Sequence, residues 1–502
     1  MKASRSGEWG LRRIKEGKMA KKKVLLTGAS GSMGGEAFKV LLGRKDKYDI
    51  VLLLRPSNKN KKGFAKHANQ EGIKIVWGDL INPDDVLLAV DGVDHVLHAA
   101  AFISPAADHD PEQTRKSNFE GTRNIVEAIK KQPDNGNNIR LVTISSVATY
   151  GDRLPPFHWI KVGDPLKPTV GDYYGITKMA AERVVIESGL KYWASMRQTF
   201  ITIPKIYSLM DPIMFHQPPN THIEIITSED AGYGLAQTLE CPDEFYGRVY
   251  NMGGGPSCRL EYTEYLRDGM EVFGLGDYSK IMPRNWFAIR NFHCGWYEDS
   301  WILNKYLGHW RQSYPDQLKQ GEAATPWYMK YGGKIAPAFI VKAFMQTMAD
   351  PYKWIKNNDK EKIKAFFGSR EAWEKIPGWD EYVVEEKDKK RETKEDPLTL
   401  EYTLVEMQAL ANSRGGECVS TEYIDIKSKL NWKCGVGHEF EATPRLIIAG
   451  HWCNECMPPP WNWDEIAKVD PAIGTLYYNT HDKNESQKVD YLYYPNEKIS
   501  LP

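Results

Sequence analysis

The chain has 502 residues, enough for two to four domains with a sizeable core. Its 66 Lys and Arg balance 66 Asp and Glu, so overall charge gives no drive toward nucleic acid or a charged membrane. Seven cysteines in so long a chain do not make a disulfide framework, which points to a reducing, cytoplasmic setting.

Residues 1–18 are basic but lack a hydrophobic signal core, and Met19 reads as an alternative start. The organising stretch comes next, KVLLTGASGSMG at 23–34. A short apolar strand, Val24-Leu25-Leu26, runs into Gly28, Gly31 and Gly34, and a helix is expected over 36–42. Glycines allow a tight turn and close backbone approach to a pyrophosphate, and a helix N-terminus adds partial positive charge. The spacing is GxxGxxG rather than GxGxxG, so the generic dinucleotide fingerprint matches loosely. Further strands are expected at 48–54, 72–79, 93–101, 139–146 and 198–204, with helices at 83–90, 111–131 and 173–188. Such alternation predicts a parallel sheet covered on both faces, with ligands at the carboxyl ends of its strands. From 205 the pattern is patchier: a strand at 223–227, a helix at 230–239, a strand at 249–255 and a helix at 262–273. The most apolar later run, 335–348, is too short to span a membrane, contains Lys342 and follows Gly332-Gly333, and reads as a buried or interfacial helix. Residues 300–400 lean helical and aromatic and end in a charged run, EEKDKKRETKED at 385–396, a solvated linker.

The pieces TGASGSMG (27–34), GDL (78–80), HAAA (98–101), NFEGTRNIVEA (118–128), ISSVATYG (144–151), YYGITK (173–178) and NMGGG (251–255) occur in one order. Together they resemble an extended short-chain dehydrogenase/reductase of the epimerase/dehydratase-like branch, over about residues 22–320. The resemblance implies an α/β fold: a Rossmann-type doubly wound parallel sheet with a smaller substrate domain. To this we add a helical, aromatic-rich extension and a small zinc-binding domain. The expected division is an N-terminal extension (1–20), a dinucleotide domain (21–205, with 228–256 returning to it), a substrate part (206–320), a helical extension (321–411), a zinc ribbon (412–460) and a tail (461–502).

Tyr174 and Lys178 stand four residues apart and so share a helix face. A phenol titrating near 10 is a poor neutral-pH acid unless an ammonium and an oxidised nicotinamide lower it. Ser146, ending the neighbouring strand, is placed to hydrogen-bond the substrate oxygen. The resemblance further implies that Asn118 helps hold the lysine through water and that Asp79 contacts the adenine. It also implies cofactor contacts from Gly28, Ser30, Gly31, Ser32, Met33, Gly34, Leu80, Ala99, Ala100, Ala101, Tyr174, Lys178, Pro204 and Ile206. At the end of the second strand, where NAD-preferring relatives carry an acid, this chain has Arg55 followed by Lys59, Lys61 and Lys62. A guanidinium can pair with a 2′-phosphate, so NADP(H) is expected ahead of NAD(H).

Dehydratases of this branch carry Asp-Glu after the catalytic hydroxyl residue; here Val147 and Ala148 occupy those places, which argues against 4,6-dehydration. Ile203, not Arg, precedes Pro204, and no Arg occurs between Arg197 and Arg248 to grip a diphosphate. Trp286, Phe287, Phe292, Trp296 and Tyr297 suggest an apolar or aromatic carbonyl substrate, unless they are core residues. His293 and Cys294 are further candidates for substrate contact. The expected reaction is reversible hydride transfer between NADPH and a ketone, aldehyde or secondary alcohol. Alternatives are an epimerase, whose cofactor is not consumed, and a non-enzymatic NADP(H)-sensing binder. A homodimer through the 111–131 and 173–188 helices is the family's common arrangement.

Near the C-terminus, Cys434 and His438 form a CxxxH knuckle and Cys453 and Cys456 a CxxC knuckle. Three thiolates and an imidazole are the closed tetrahedral set of a structural Zn2+ site, with no open position for catalysis. Cys418 and His451 are weaker ligand candidates. The segment resembles a treble-clef-like zinc ribbon. Such ribbons often touch nucleic acid, but Glu417, Glu422, Asp425, Glu439 and Glu441 dilute a basic patch.

Overall fold

The computed structural model describes residues 21–104, 106–154, 158–162, 164, 166, 168–205, 211–382, 402–413, 416–425, 428–435, 437–444, 447, 451–453 and 488–489. Seven strands make the central sheet: β1 (Lys22–Thr27), β2 (Tyr48–Leu54), β3 (Ile73–Trp77), β4 (His95–His98), β5 (Arg140–Ser146), β6 (Tyr192–Gln198) and β7 (Arg248–Met252). All pair in parallel, in the order β7-β6-β5-β4-β1-β2-β3. This is the doubly wound, Rossmann-type sheet expected.

The strands are apolar on both faces because both are covered. Val24 and Leu26 enter one core layer with Leu52, Phe38 and Leu235, beneath the Ser32–Leu42 and Ser228–Gln237 helices. Leu25 enters the other with Val51, Val96 and Leu141, beneath Pro83–Val90, Gly121–Lys130 and Tyr173–Ile186.

Two expectations need correction. The sixth strand of the sheet is Tyr192–Gln198, not 198–204; residues Phe200–Thr202 form a strand of a separate small sheet with His222–Thr227 and Arg259–Glu261. The sequence YWASMRQ hides a buried strand because Ser195, Arg197 and Gln198 are polar yet enclosed. Glu182 accounts for two of them, accepting from Ser195 Oγ (2.9 Å) and from Arg197 Nη2 (2.6 Å). The expected 111–131 helix is broken: Pro111–Thr114 is followed by a π turn, Arg115–Glu120, and then Gly121–Lys130. The wide turn contains Asn118, whose carbonyl accepts from Thr122 Oγ1 (2.7 Å).

Beyond the sheet, a third core gathers Phe215, Ile225, Trp286, Phe287 and Cys294, and helices continue from Ser300 to Glu374. Past residue 402, the Leu404–Ser413 helix covers a three-stranded antiparallel sheet, Glu417–Cys418, Leu430–Lys433 and Glu439–Ala442.

Candidate active site

The loop after β1 is shaped by what it cannot hold. A Cβ on Gly28 (φ +77°) would stand 2.7 Å from the Ala100 nitrogen, and one on Gly34 would stand 2.2 Å from the Gly28 carbonyl oxygen. The turn therefore closes on itself and on the end of β4 with no room for a side chain. Gly31 caps the Ser32–Leu42 helix without any side-chain cap. Its first N–H groups face the exposed loop of Ser30, Gly31 and Ser32, an anion site of the kind helix N-termini supply. Met33 packs its side chain into the core, so only its backbone faces this loop. Ala99 and Ala100 are half-buried and Ala101 exposed at the end of β4. Asp79 and Leu80, half-buried after β3, are held by Asn124 Nδ2, which donates to the Leu80 carbonyl (2.8 Å). Arg55 is exposed at the end of β2. Pro204 lies half-buried just past Phe200–Thr202, and Ile206 falls outside the described residues.

A buried hydrogen-bond chain joins the glycine loop to the helix that bears Tyr174 and Lys178. Ala100 N–H donates to Thr27 Oγ1 (3.2 Å), which donates to His98 Nδ1 (2.8 Å). His98 Nε2 meets Thr122 Oγ1 (3.0 Å), whose proton goes to the Asn118 carbonyl. The network assigns the Nε2–H tautomer, and the imidazole stays neutral: burial, then the Lys178 charge, push it down to about 3. The Asn118 side chain is fully engaged, donating to the Phe102 carbonyl (2.9 Å) and Thr177 Oγ1 (3.1 Å) and accepting from Phe102 N–H (2.7 Å). It thus touches the residue before Lys178 rather than the lysine.

Ser146 ends β5, where its hydroxyl accepts from Ala148 N–H (3.2 Å) and lies near enough to the Tyr174 phenol to lower its titration. The Lys178 ammonium donates to the Ile144 carbonyl on the same strand. Burial dominates both titrations, lifting the phenol to about 12 and lowering the ammonium to about 8. The expected acidification of the phenol by the lysine is not what the protein alone provides: burial raises it most, the nearby Ser146 hydroxyl lowers it, and the Asp172 charge raises it. Val147 and Ala148, which replace the dehydratase acids, are buried in the following turn.

A cavity of about 70 Å3 is lined by Asp108, Asp172, His216, Asn291, Phe292 and His293 among others; it meets the helix of Tyr174 and Lys178 at the capping residue Asp172, and Ser146, Tyr174 and Lys178 are not among its lining residues. Asp172 caps the Tyr173–Ile186 helix through Gly175 N–H (2.6 Å), and its other oxygen meets His293 Nδ1 at 2.8 Å. His293 is raised above the ordinary imidazole range: burial lowers it, and the Asp172 charge and hydrogen bond, with Asp108 and Asp152, outweigh that. Asp108 is raised by burial and by the Asp172 charge. Asn291, in a left-handed conformation (φ 70°), latches the His293 segment to the active-site loop, donating to the Val170 carbonyl (3.1 Å) and accepting from Val170 N–H (2.9 Å).

The aromatic set divides. Trp286, Phe287, Trp296 and Tyr297 are 3%, 0%, 1% and 0% exposed and belong to the interior; only Phe292 reaches the cavity. Cys294 is buried as well, its thiol pushed up to about 12. The aromatic-substrate expectation therefore keeps only Phe292 of its five residues, in a cavity that mixes apolar and polar side chains. Sequence reasoning missed Asp108, Asp172 and His216. Asp172 carried a signal, an Asp directly before the helix that bears Tyr174; the other two come together only through tertiary packing.

Near the C-terminus, Cys434, His438 and Cys453 place their ligand atoms within 4.8 Å of one another. His438 N–H donates to Cys434 Sγ (3.2 Å), and Cys434 N–H to the His438 carbonyl (2.9 Å), closing the knuckle turn. Cys456 and the His451 side chain lie outside the described residues. Cys418 is buried but is not part of this cluster.

Residues 24–219 match the model of the NAD dependent epimerase/dehydratase family, consistent with an enzyme of the short-chain dehydrogenase/reductase type. D-erythronate dehydrogenase of Haemophilus influenzae is 28% identical over 168 residues, 32% of this chain and 49% of that protein. An inverting UDP-N-acetylglucosamine 4,6-dehydratase of Campylobacter jejuni is 32% identical over 109 residues, 22% of this chain and 32% of that one. The matches thus span half or less of these relatives. A solved dTDP-glucose 4,6-dehydratase of Streptomyces venezuelae with NAD bound is similar at a TM-score of 0.49 and 19% identity, covering 63% of this chain and 99% of that one.

Proposed function

We propose that the chain is a nicotinamide-dependent oxidoreductase that interconverts a carbonyl and a secondary alcohol on a small hydroxylated molecule, with NADP(H) preferred. The observation that carries the reading is the grouping of Ser146, Tyr174 and Lys178 at the end of β5, with the Ser146 hydroxyl near the phenol and the Lys178 ammonium bonded to the Ile144 carbonyl of the same strand. The glycine loop fits a dinucleotide: Gly28 and Gly34 leave a cradle that side chains would fill, at an uncapped helix N-terminus. Gly28, Ser30, Gly31 and Ser32 would hold the pyrophosphate, Asp79 the adenine and Arg55 a 2′-phosphate. When bound, the nicotinamide supplies or accepts the hydride.

The chain's own residues do the rest. Ser146 orients the carbonyl oxygen, and the Tyr174 hydroxyl, protonated throughout the neutral range, donates its proton as that oxygen gains charge. Lys178, placed one helix turn along, supplies positive charge that stabilises the phenolate as the proton leaves. Asp172, His293 and Asn291 offer acceptors and donors to substrate hydroxyls, in a cavity whose remaining wall is mostly apolar. A D-erythronate dehydrogenase among the similar proteins points toward the same hydroxylated class.

The test follows NADPH absorbance against a panel of hydroxylated ketones and aldehydes, with Tyr174→Phe as the control. Oxidation is expected and should fall about 10²–10⁴-fold in the variant. Product without net NADPH loss would identify an epimerase instead, and no turnover with either cofactor would overturn the reading.

The Cys434–His438–Cys453 cluster we read as a structural Zn2+ site. Tetrahedral zinc with Zn–S of about 2.3 Å and Zn–N of about 2.0 Å sets its sulfur and nitrogen ligands about 3.5 Å apart. Cys453 Sγ and His438 Nδ1 lie at 3.6 Å. Cys456 would complete the set.

A further inference from the structure

Two helices in the aromatic extension present an apolar face that nothing among the described residues covers. Trp327–Ile335 contains no buried residue, and Ala338–Met348 buries only Met345. Seven large apolar side chains stand exposed across them: Trp327, Tyr328, Tyr331, Ile335, Phe339, Ile340 and Phe344, with Ile335 at 82%. Trp327, Tyr331 and Ile335 recur every four residues and so form one stripe, with the Trp327 and Tyr331 rings 6.4 Å apart. The pair is not a loose appendage. Val341 and Met348 join Met345 in packing against the third core, and a Cβ on Gly333 would meet the Phe273 carbonyl at 2.4 Å.

The charge on this stretch has one sign. Residues 327–348 contain Lys330, Lys334 and Lys342 and no Asp or Glu. Lys330 reaches Glu322 at 3.6 Å, whereas Lys334 and Lys342 make no ion pair among the described residues. Helices of 9 and 11 residues, broken at Pro337, would each be roughly 14–17 Å long, half the thickness of a bilayer core. They cannot span one, but they can lie in its surface.

We propose that this helical pair is an interfacial anchor that seats the protein on an anionic lipid surface. Trp and Tyr favour the headgroup level, Ile and Phe would enter the acyl boundary, and lysines would reach lipid phosphates. A second copy of the chain fits less well, because a two-fold contact would join two copies of a face that carries three lysines and no acid to pair with them. The chain's own charged run at 385–396 fits less well too, since its six acids are nearly balanced by five bases. The near-zero net charge of the whole chain does not oppose the proposal, because the patch is local and membrane attraction decays within a Debye length.

The experiment sediments the full chain with vesicles of phosphatidylcholine alone, or with about one phosphatidylglycerol in three lipids. Binding is expected with the anionic vesicles and should weaken at high salt, with a blue shift of tryptophan fluorescence. Trp327→Glu or Phe339→Glu, at exposed positions, should lower the bound fraction at least tenfold, about the effect of removing a large apolar anchor. Lys334→Gln and Lys342→Gln should each weaken anionic binding roughly fivefold. Near-ultraviolet circular dichroism checks that the variants are folded. The proposal is overturned if the folded wild type stays in the supernatant, or if the glutamate variants bind equally well. It is also overturned if those substitutions dissociate an oligomer without vesicles, which would make the face a protein interface.

Discussion

The central sheet and the C-terminal cysteine–histidine cluster both hold a group of polar side chains in place, by different means. Around the sheet, two apolar layers enclose the strands, so on the function proposed above Ser146, Tyr174 and Lys178 are available for chemistry. Around Cys434, His438 and Cys453 the core is small, built on Met407, Leu410, Leu430, Trp432 and Trp452. There, on the zinc reading proposed above, the polar residues most suggestive of function would be the ones that hold the fold, since a small module that cannot bury enough apolar surface can take its stability from a metal.

Removing the metal should break this contrast most visibly. Chelation, or Cys434→Ser, is expected to abolish amide protection over the Leu404–Ala442 segment while the sheet stays protected. Metal analysis should find about one zinc per chain beforehand. Unchanged exchange after chelation would show that the apolar core suffices. Next in size is Gly34→Ala, whose Cβ would lie 2.2 Å from the Gly28 oxygen. Backbone has to move, at a cost of about 3 kcal/mol. Thermal denaturation should show the loss, accompanied by loss of dinucleotide binding by fluorescence. A variant of wild-type stability would mean that the loop is slack.

How much of this was legible beforehand follows the same division. The strands over 48–54 and the helix over 83–90 could be read residue for residue, because a strand buried on both faces is an uninterrupted apolar run and Asn82-Pro83 marks a helix start. Tyr192–Gln198 was not legible, since a buried Arg197 looks like surface until Glu182 is known to face it. The π turn at Arg115–Glu120 breaks a continuous helical pattern for a tertiary reason, the bonds from Asn118 to Phe102 and Thr177. Ser146, Tyr174 and Lys178 could be found from spacing because they sit on two regular elements. The cavity could not: Asp108, Asp172, His216 and His293 come from four segments, and the aromatic cluster that drew attention instead was interior.

Lys178 tests whether the site is bought at the expense of the sheet. Its ammonium titrates near 8 instead of 10.5, so below about pH 8 the unfolded chain holds that proton more tightly than the folded one. The penalty is on the order of 3 kcal/mol at neutral pH and fades as pH rises through the unfolded value. Lys178→Met should therefore abolish turnover yet stabilise the fold by about 2 kcal/mol at pH 7, after loss of the bond to the Ile144 carbonyl. The gain should shrink toward pH 11. Destabilisation at neutral pH would show that the lysine is structural, erasing the distinction from the cysteine cluster.

The smallest effect belongs to Arg55, which no core constrains. Its backbone is fixed, since its carbonyl accepts from Asn60 Nδ2 (2.9 Å) and Ser57 N–H (2.8 Å), while its side chain is exposed. Lys59, Lys61 and Lys62 follow it in the Asn58–Phe64 helix, all exposed, so the end of β2 faces solvent as a cationic corner. A 2′-phosphate there gains a charge-assisted pair in high dielectric, about 1–1.5 kcal/mol or roughly tenfold in affinity. Arg55→Asp should raise the KM for NADPH by about that factor and lower that for NADH, with melting temperature unchanged. Raising the salt should narrow the wild-type preference in the same direction. If the NADPH-to-NADH ratio of kcat/KM does not move, the corner is only surface, and the choice of cofactor lies elsewhere along the glycine loop.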